Sequence, residues 1–136
     1  MTKTAKQIVS DVMNLLKGSP LVESITGKVY RSGCRPEGSK KEDLVVIFTT
    51  GDPSQMQRGV VTINIYTRDV QSDKNYVEDG SRCEAIEILA QQWIDTLNKG
   101  GSPYYFTLQQ TIYTEAEKEI NQHFVVVKLK YKLLTD

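Results

Sequence analysis

One histidine, two cysteines and a run of lysines are the residues of this chain best equipped for chemistry. His123 is the single histidine. With no second histidine and no cysteine at ligand spacing it makes neither a zinc site nor a nucleophile–base–acid triad, and it reads as a strand-end surface residue. Cys34 and Cys83 lie 49 residues apart, outside any CxxC pattern, and read as free thiols of a reducing compartment. Arg31 and Arg35 flank Cys34 and would favour its thiolate if they lay close, but no general base stands beside it. Glu115, Glu117 and Glu119 are spaced like a strand face or a solvated turn, not like a cation cage. The glycines form neither GxGxxG nor GxxxxGK[ST], so no phosphate cradle is visible. No catalytic residue, cofactor or metal is expected, and the chain does not read as an enzyme.

The lysines are better organised. The segment 124–134 reads FVVVKLKYKLL, with Lys128, Lys130 and Lys132 alternating against Val127, Leu129, Tyr131 and Leu133. Strand side chains alternate with period two, so this is a half-buried strand with a cationic outer face. If the preceding strand pairs with it, Tyr105 or Tyr113 would sit beside those lysines, as in a stacking platform ringed by cations. Exposed strand lysines also discourage edge-to-edge aggregation, which is the plainer reading.

The elements that must position these residues follow from periodicity. Residues 4–17 carry Ile8, Val9, Val12, Met13, Leu15 and Leu16 near helical spacing, stopped by Gly18 and Pro20. Residues 19–26 are a connector with room for a helical turn, and KVYRS at 28–32 is a short strand. GCRPEGSKKED at 33–43 is a polar loop whose Arg35, Lys40 and Lys41 could touch phosphate, though acids are interspersed. LVVIFTT at 44–50 is apolar on both faces, as in a strand buried on both sides, by helices on one and by another subunit on the other. An extended loop holding Arg58 leads to the strand 57–68, with Val61, Ile63 and Ile65 on one face and Thr62, Asn64 and Tyr66 on the other. DVQSDKNYVE at 69–78 lacks periodicity and is expected to wrap across the sheet. The helix 79–97 bears Ile86, Leu89, Ala90, Trp93, Ile94 and Leu97, with Trp93 as its anchor on the sheet. YYFTLQQTIYT at 104–114 is one alternating strand, followed by a charged connection at 115–122.

The expected fold is thus α+β, a mostly antiparallel sheet of four to five strands with two helices on one face, in the order α-β-β-β-α-β-β. A chain of 136 residues needs one domain, residues 1–136. With 17 basic and 17 acidic residues there is no global field to attract nucleic acid or an anionic membrane. No apolar run approaches the roughly 20 residues that span a bilayer, and the N-terminal segment lacks the apolar core of a signal peptide. A soluble, intracellular protein is expected.

The same order of elements carries a family resemblance. The opening helix, the short strand at Gly27-Lys28-Val29-Tyr30, the segment TINIYTRD at 62–69 and the helix EAIEILAQQWIDTL at 84–97 resemble the small tail-completion proteins of tailed bacteriophages, the tail-terminator or head–tail joining proteins. The resemblance implies a homo-oligomeric ring, usually of about six copies, that caps the tail tube and faces the head connector; such a ring closes through a heterologous interface. It implies residence in the bacterial cytoplasm or the virion, and no catalytic role. Under it, the second faces of the two long strands, at Val45, Ile47, Thr62, Asn64 and Tyr66, are candidate ring surfaces. Arg35, Lys40, Lys41, Arg58, Lys128, Lys130 and Lys132 are candidate contacts for a partner or for DNA. The alternative is a stand-alone oligomeric module that binds protein or nucleic acid.

Overall fold

The structure, a computed structural model, describes residues 2–134. Met1, Thr135 and Asp136, the ends of the expected single domain, lie outside the described residues. Helix α1 (Ala5–Leu16) begins with a capping box: the Thr4 hydroxyl accepts from the Gln7 N–H while the Gln7 side chain accepts from the Thr4 N–H. Gly18 ends it with a positive φ. Helix α2 (Pro20–Ser24) is the short turn anticipated there, capped by Ser19. Helix α3 (Gly80–Leu97) is capped by Asp79.

The strands are β1 (Val29–Arg31), β2 (Leu44–Asp52), β3 (Met56–Arg68), β4 (Val70–Ser72), β5 (Asn75–Val77), β6 (Tyr104–Leu108), β7 (Tyr113–Glu117) and β8 (Gln122–Leu134). Six of them form the main sheet in the order β1-β2-β3-β8-β6, with β7 also on β8. All pairings but the parallel β1–β2 are antiparallel. The fold is therefore the expected α+β class, with one strand more in the sheet than anticipated.

One face of the sheet is the floor of the core. Leu44 and Val46 of β2, Val61, Ile63 and Ile65 of β3, and Val125, Val127, Leu129 and Tyr131 of β8 meet α1 and α3 in a single buried cluster. Trp93 sits in that cluster, and its indole N–H donates to the Leu15 carbonyl of α1, 3.2 Å away, so it joins the two helices as well as packing on the sheet. The central β3–β8 pair runs thirteen residues in unbroken register.

Four expectations need correction. The loop after β2 is short, residues 53–55, because β2 and β3 extend towards each other to Asp52 and Met56. The segment 69–78 is a hairpin, β4–β5, whose turn is made by Asp73 at φ 55°; aspartate tolerates the left-handed region that such a turn needs. The single strand expected at 104–114 is two. From Leu108 opposite Leu129, an unbroken register would set residue 111 opposite Val126, yet Tyr113 stands there, so two residues are looped out. Finally, residues 115–117 of the supposed connection belong to β7, and a short 3-10 turn (Lys118–Ile120) completes the link.

Candidate functional site

The face of the sheet turned away from the helices gathers most of the residues that the sequence marks out. Pairing register sets them in rows. Arg58 lies opposite Lys132, which faces Tyr105; Val60 opposite Lys130, which faces Thr107; Ile47 opposite Thr62 and then Lys128; Val45 opposite Asn64, Val126 and Tyr113; Tyr66 opposite Phe124. An alternating strand places every second residue on one face, which is why five interface candidates and four cations share it.

This face has two unlike ends. At the Tyr66 end it is roofed by the loop 33–43. The Arg35 guanidinium stacks 3.9 Å from the centre of the Tyr66 ring, pairs with the Asp43 carboxylate at 3.0 Å, and donates to the Gln122 side-chain oxygen at 2.9 Å. The same Nη2 also lies 3.3 and 3.2 Å from the Ser39 and Lys41 carbonyls. Asp43, 1% exposed, also accepts from the Ser39 hydroxyl and the Lys28 N–H. Burial pushes the Asp43 carboxyl up, but the bonds from Ser39, Lys28 and Arg35 outweigh it and hold the group below the usual carboxylate range. Burial pushes the Tyr66 hydroxyl up, with Arg35 opposing. Gly27 makes the approach feasible, since a Cβ there would overlap the Asp43 carboxylate.

Arg35 is consequently a structural residue and not a free contact for DNA. Its Nε and Nη2 are engaged by Asp43, Gln122 and the loop carbonyls, and its side chain is 15% exposed. Tyr66 is likewise covered from within the chain, and Val45, at 7%, is buried without a second subunit. Ile47 and Thr62 lie on the more open middle of the face, whereas the Asn64 side-chain oxygen is buried there without a hydrogen-bond partner. Lys40 and Lys41 are exposed but stand at the other end of the molecule: Lys40 shares a cavity with Arg68, which is ten residues, or about 33 Å of strand, from Arg58.

The other end is open. Arg58, Lys130, Lys132, Tyr105 and Thr107 surround a groove of about 460 Å³ whose floor includes Gly59 and Val60. Among the described residues, Arg58, Lys128, Lys130 and Lys132 form no ion pair. The Lys128 ammonium lies 5.9 Å from the Tyr113 ring centre.

A second feature was not marked by the sequence. The hairpin β4–β5 is exposed along its whole length, with Val70 at 45%, Tyr76 at 51% and Val77 at 43%. His123 holds its base. The imidazole Nδ1 is 2.6 Å from the Asp69 carboxylate before β4, and Nε2 is 3.6 Å from Glu78 after β5. His123 is thus a partly buried clamp and not the plain surface residue expected. The signal available in the sequence was the Ser72-Asp73-Lys74-Asn75 turn between two short alternating runs.

The cysteines are placed apart in environment. Cys34 is exposed and Cys83 is buried in α3. Burial, with added pressure from Glu78, Asp79, Glu87 and Asp69, pushes the Cys83 thiol up to about 12, which opposes thiolate chemistry there. Among the described residues no group of three or more histidine, cysteine or acidic side chains could hold a metal ion, and no helix is long and apolar enough to cross a membrane. No protein-family model matches the chain, and no curated protein matches it significantly.

Proposed function

We propose that this chain is a structural, ring-forming protein of the phage tail-terminator kind, non-enzymatic, whose copies join head to tail, cap a tail tube and present their other side to a head connector. The observation that supports this reading is the hairpin β4–β5. An isolated two-stranded hairpin is marginally stable in water, and this one carries three exposed large apolar residues away from the core. Ile120, 45% exposed, lines one cavity with Val70 and Tyr76 and enlarges the apolar surface at its base. A projecting arm on one side and an unlike receiving surface on the other are what a heterologous, closing interface requires. The host cytoplasm and the virion are the compartments in which such a ring would work.

Light scattering during size-exclusion chromatography, over a wide concentration range, tests the reading. The expected result is a closed oligomer of about six copies that Val70→Ser/Tyr76→Ser/Val77→Ser reduces to monomer while far-UV circular dichroism stays unchanged. A wild-type chain that remains monomeric at every concentration and does not bind preformed tail tubes sinks it.

A further inference from the structure

We infer that the open end of the helix-free sheet face is a binding site for single-stranded nucleic acid, with the phosphate backbone running along the β8 lysines and a base stacked on Tyr105. Electrostatics gives the first argument. Arg58 has Lys132 as its cross-strand neighbour on β8 and Asp52 on β2, so the like-charge neighbour, unfavourable in a sheet, is offset from one side only. With 17 acids in the chain, none pairs with either residue or with Lys128 and Lys130 among the described residues. The acids that register places on this face, Asp52 on β2 and Glu115 and Glu117 on β7, lie outside the Lys128–Lys130–Lys132 row, which offers a local polyanion site in spite of the chain's zero net charge.

Geometry gives the second. Lys128, Lys130 and Lys132 project from one strand at intervals of about 7 Å, a linear track suited to a chain of phosphates more than to a compact anion. Beside it the groove of about 460 Å³ is floored by Val60 and edged by Tyr105, which is 53% exposed. A tyrosine face open to solvent next to cations stacks unpaired bases, whose π-faces a duplex would hide. An acidic peptide is the competing occupant, and its usual route is addition as a strand to a sheet edge. That route is obstructed on β6, because the Asn98 side chain already bonds both the N–H and the carbonyl of Phe106, at 2.8 and 2.7 Å.

Fluorescence anisotropy of a short labelled oligothymidylate, titrated at several salt concentrations, tests the inference. With three or four phosphates neutralised, log K should fall against log salt with a slope of about −2 to −3. Lys130→Gln/Lys132→Gln should reduce the magnitude of that slope by about 1.4. Tyr105→Ala should weaken binding about tenfold with the slope retained, and Lys40→Gln/Lys41→Gln should change neither. All these side chains face solvent, and circular dichroism confirms that each variant is folded. Absent or salt-insensitive binding overturns the site. So does equal binding of polyglutamate, which would assign the face to an acidic protein surface, or an equal loss in the Lys40/Lys41 variant. Oligomer mass, read separately, is independent of this result.

Discussion

Asp43 is the single residue on which the roof over the Tyr66 end depends, because it receives Arg35, the Ser39 hydroxyl and the Lys28 N–H together. Its carboxyl sits below its ordinary value of 3.8 in the folded chain, so ionisation favours folding. That contribution is fully present above about pH 3.8 and is lost as pH falls through the lower folded value. Asp43→Asn is therefore expected to cost about 3 kcal/mol at pH 7, since it also leaves Arg35 without its carboxylate. The gap to wild type in urea melts should narrow as pH drops below 3.8; a gap of constant size would show that the charge is not what holds the loop. The sequence displayed Arg35 as a cation in a polar loop and no more. Its partners lie 8 and 87 residues away, separations at which no local pattern exists.

Among the elements, the β2–β3–β8 corner turns on an absent side chain. Gly51, Gly59 and Tyr131 are neighbours in register, and a Cβ on Gly59 would lie 2.6 Å from the Tyr131 hydroxyl, 2.8 Å from the Gly51 Cα and against the Thr50 carbonyl. Gly59→Ala should destabilise the protein by about 1–3 kcal/mol through overpacking, measurable as a shift of the urea midpoint with an unchanged m-value. No shift would mean that β2 moves aside at no cost. The long elements α1, α3, β2, β3 and β8 were legible because their apolar periods run over many residues. The break between β6 and β7 was less so. Its trace is Gln110, a polar residue at a position whose parity points to the core, and the two-residue bulge removes it from the sheet while keeping Ile112 inside and Tyr113 out. The β4–β5 hairpin escaped because three residues per strand are too few to establish a period.

At the scale of the whole molecule, the two thiols report on one cooperative core. Cys34 is open to solvent, whereas Cys83 is 2% exposed on α3. An aromatic disulfide reagent at pH 8 should label one thiol at once in the native chain. The second should react only on unfolding, and more slowly as stability rises. Rapid labelling of both would show that α3 detaches from the sheet without global unfolding. Glu42 bears on the same question, since it pairs with Arg82 at 2.7 and 2.8 Å and so ties α3 to the loop before β2.

Periodicity alone sufficed for the α+β class, the two long helices and the core-facing residues of β3 and β8, because burial periodicity is a local property of helix and strand geometry; for β2, apolar on both faces, it did not. The same periodicity placed Lys128, Lys130 and Lys132 together on one face. That Arg58 joins them and Arg35 does not, that Tyr66 is roofed from within, and that His123 clamps a hairpin emerge only in the folded arrangement. Strand order and register bring together residues far apart in the chain, and whether a charge faces solvent or a partner is settled by what the fold lays over it.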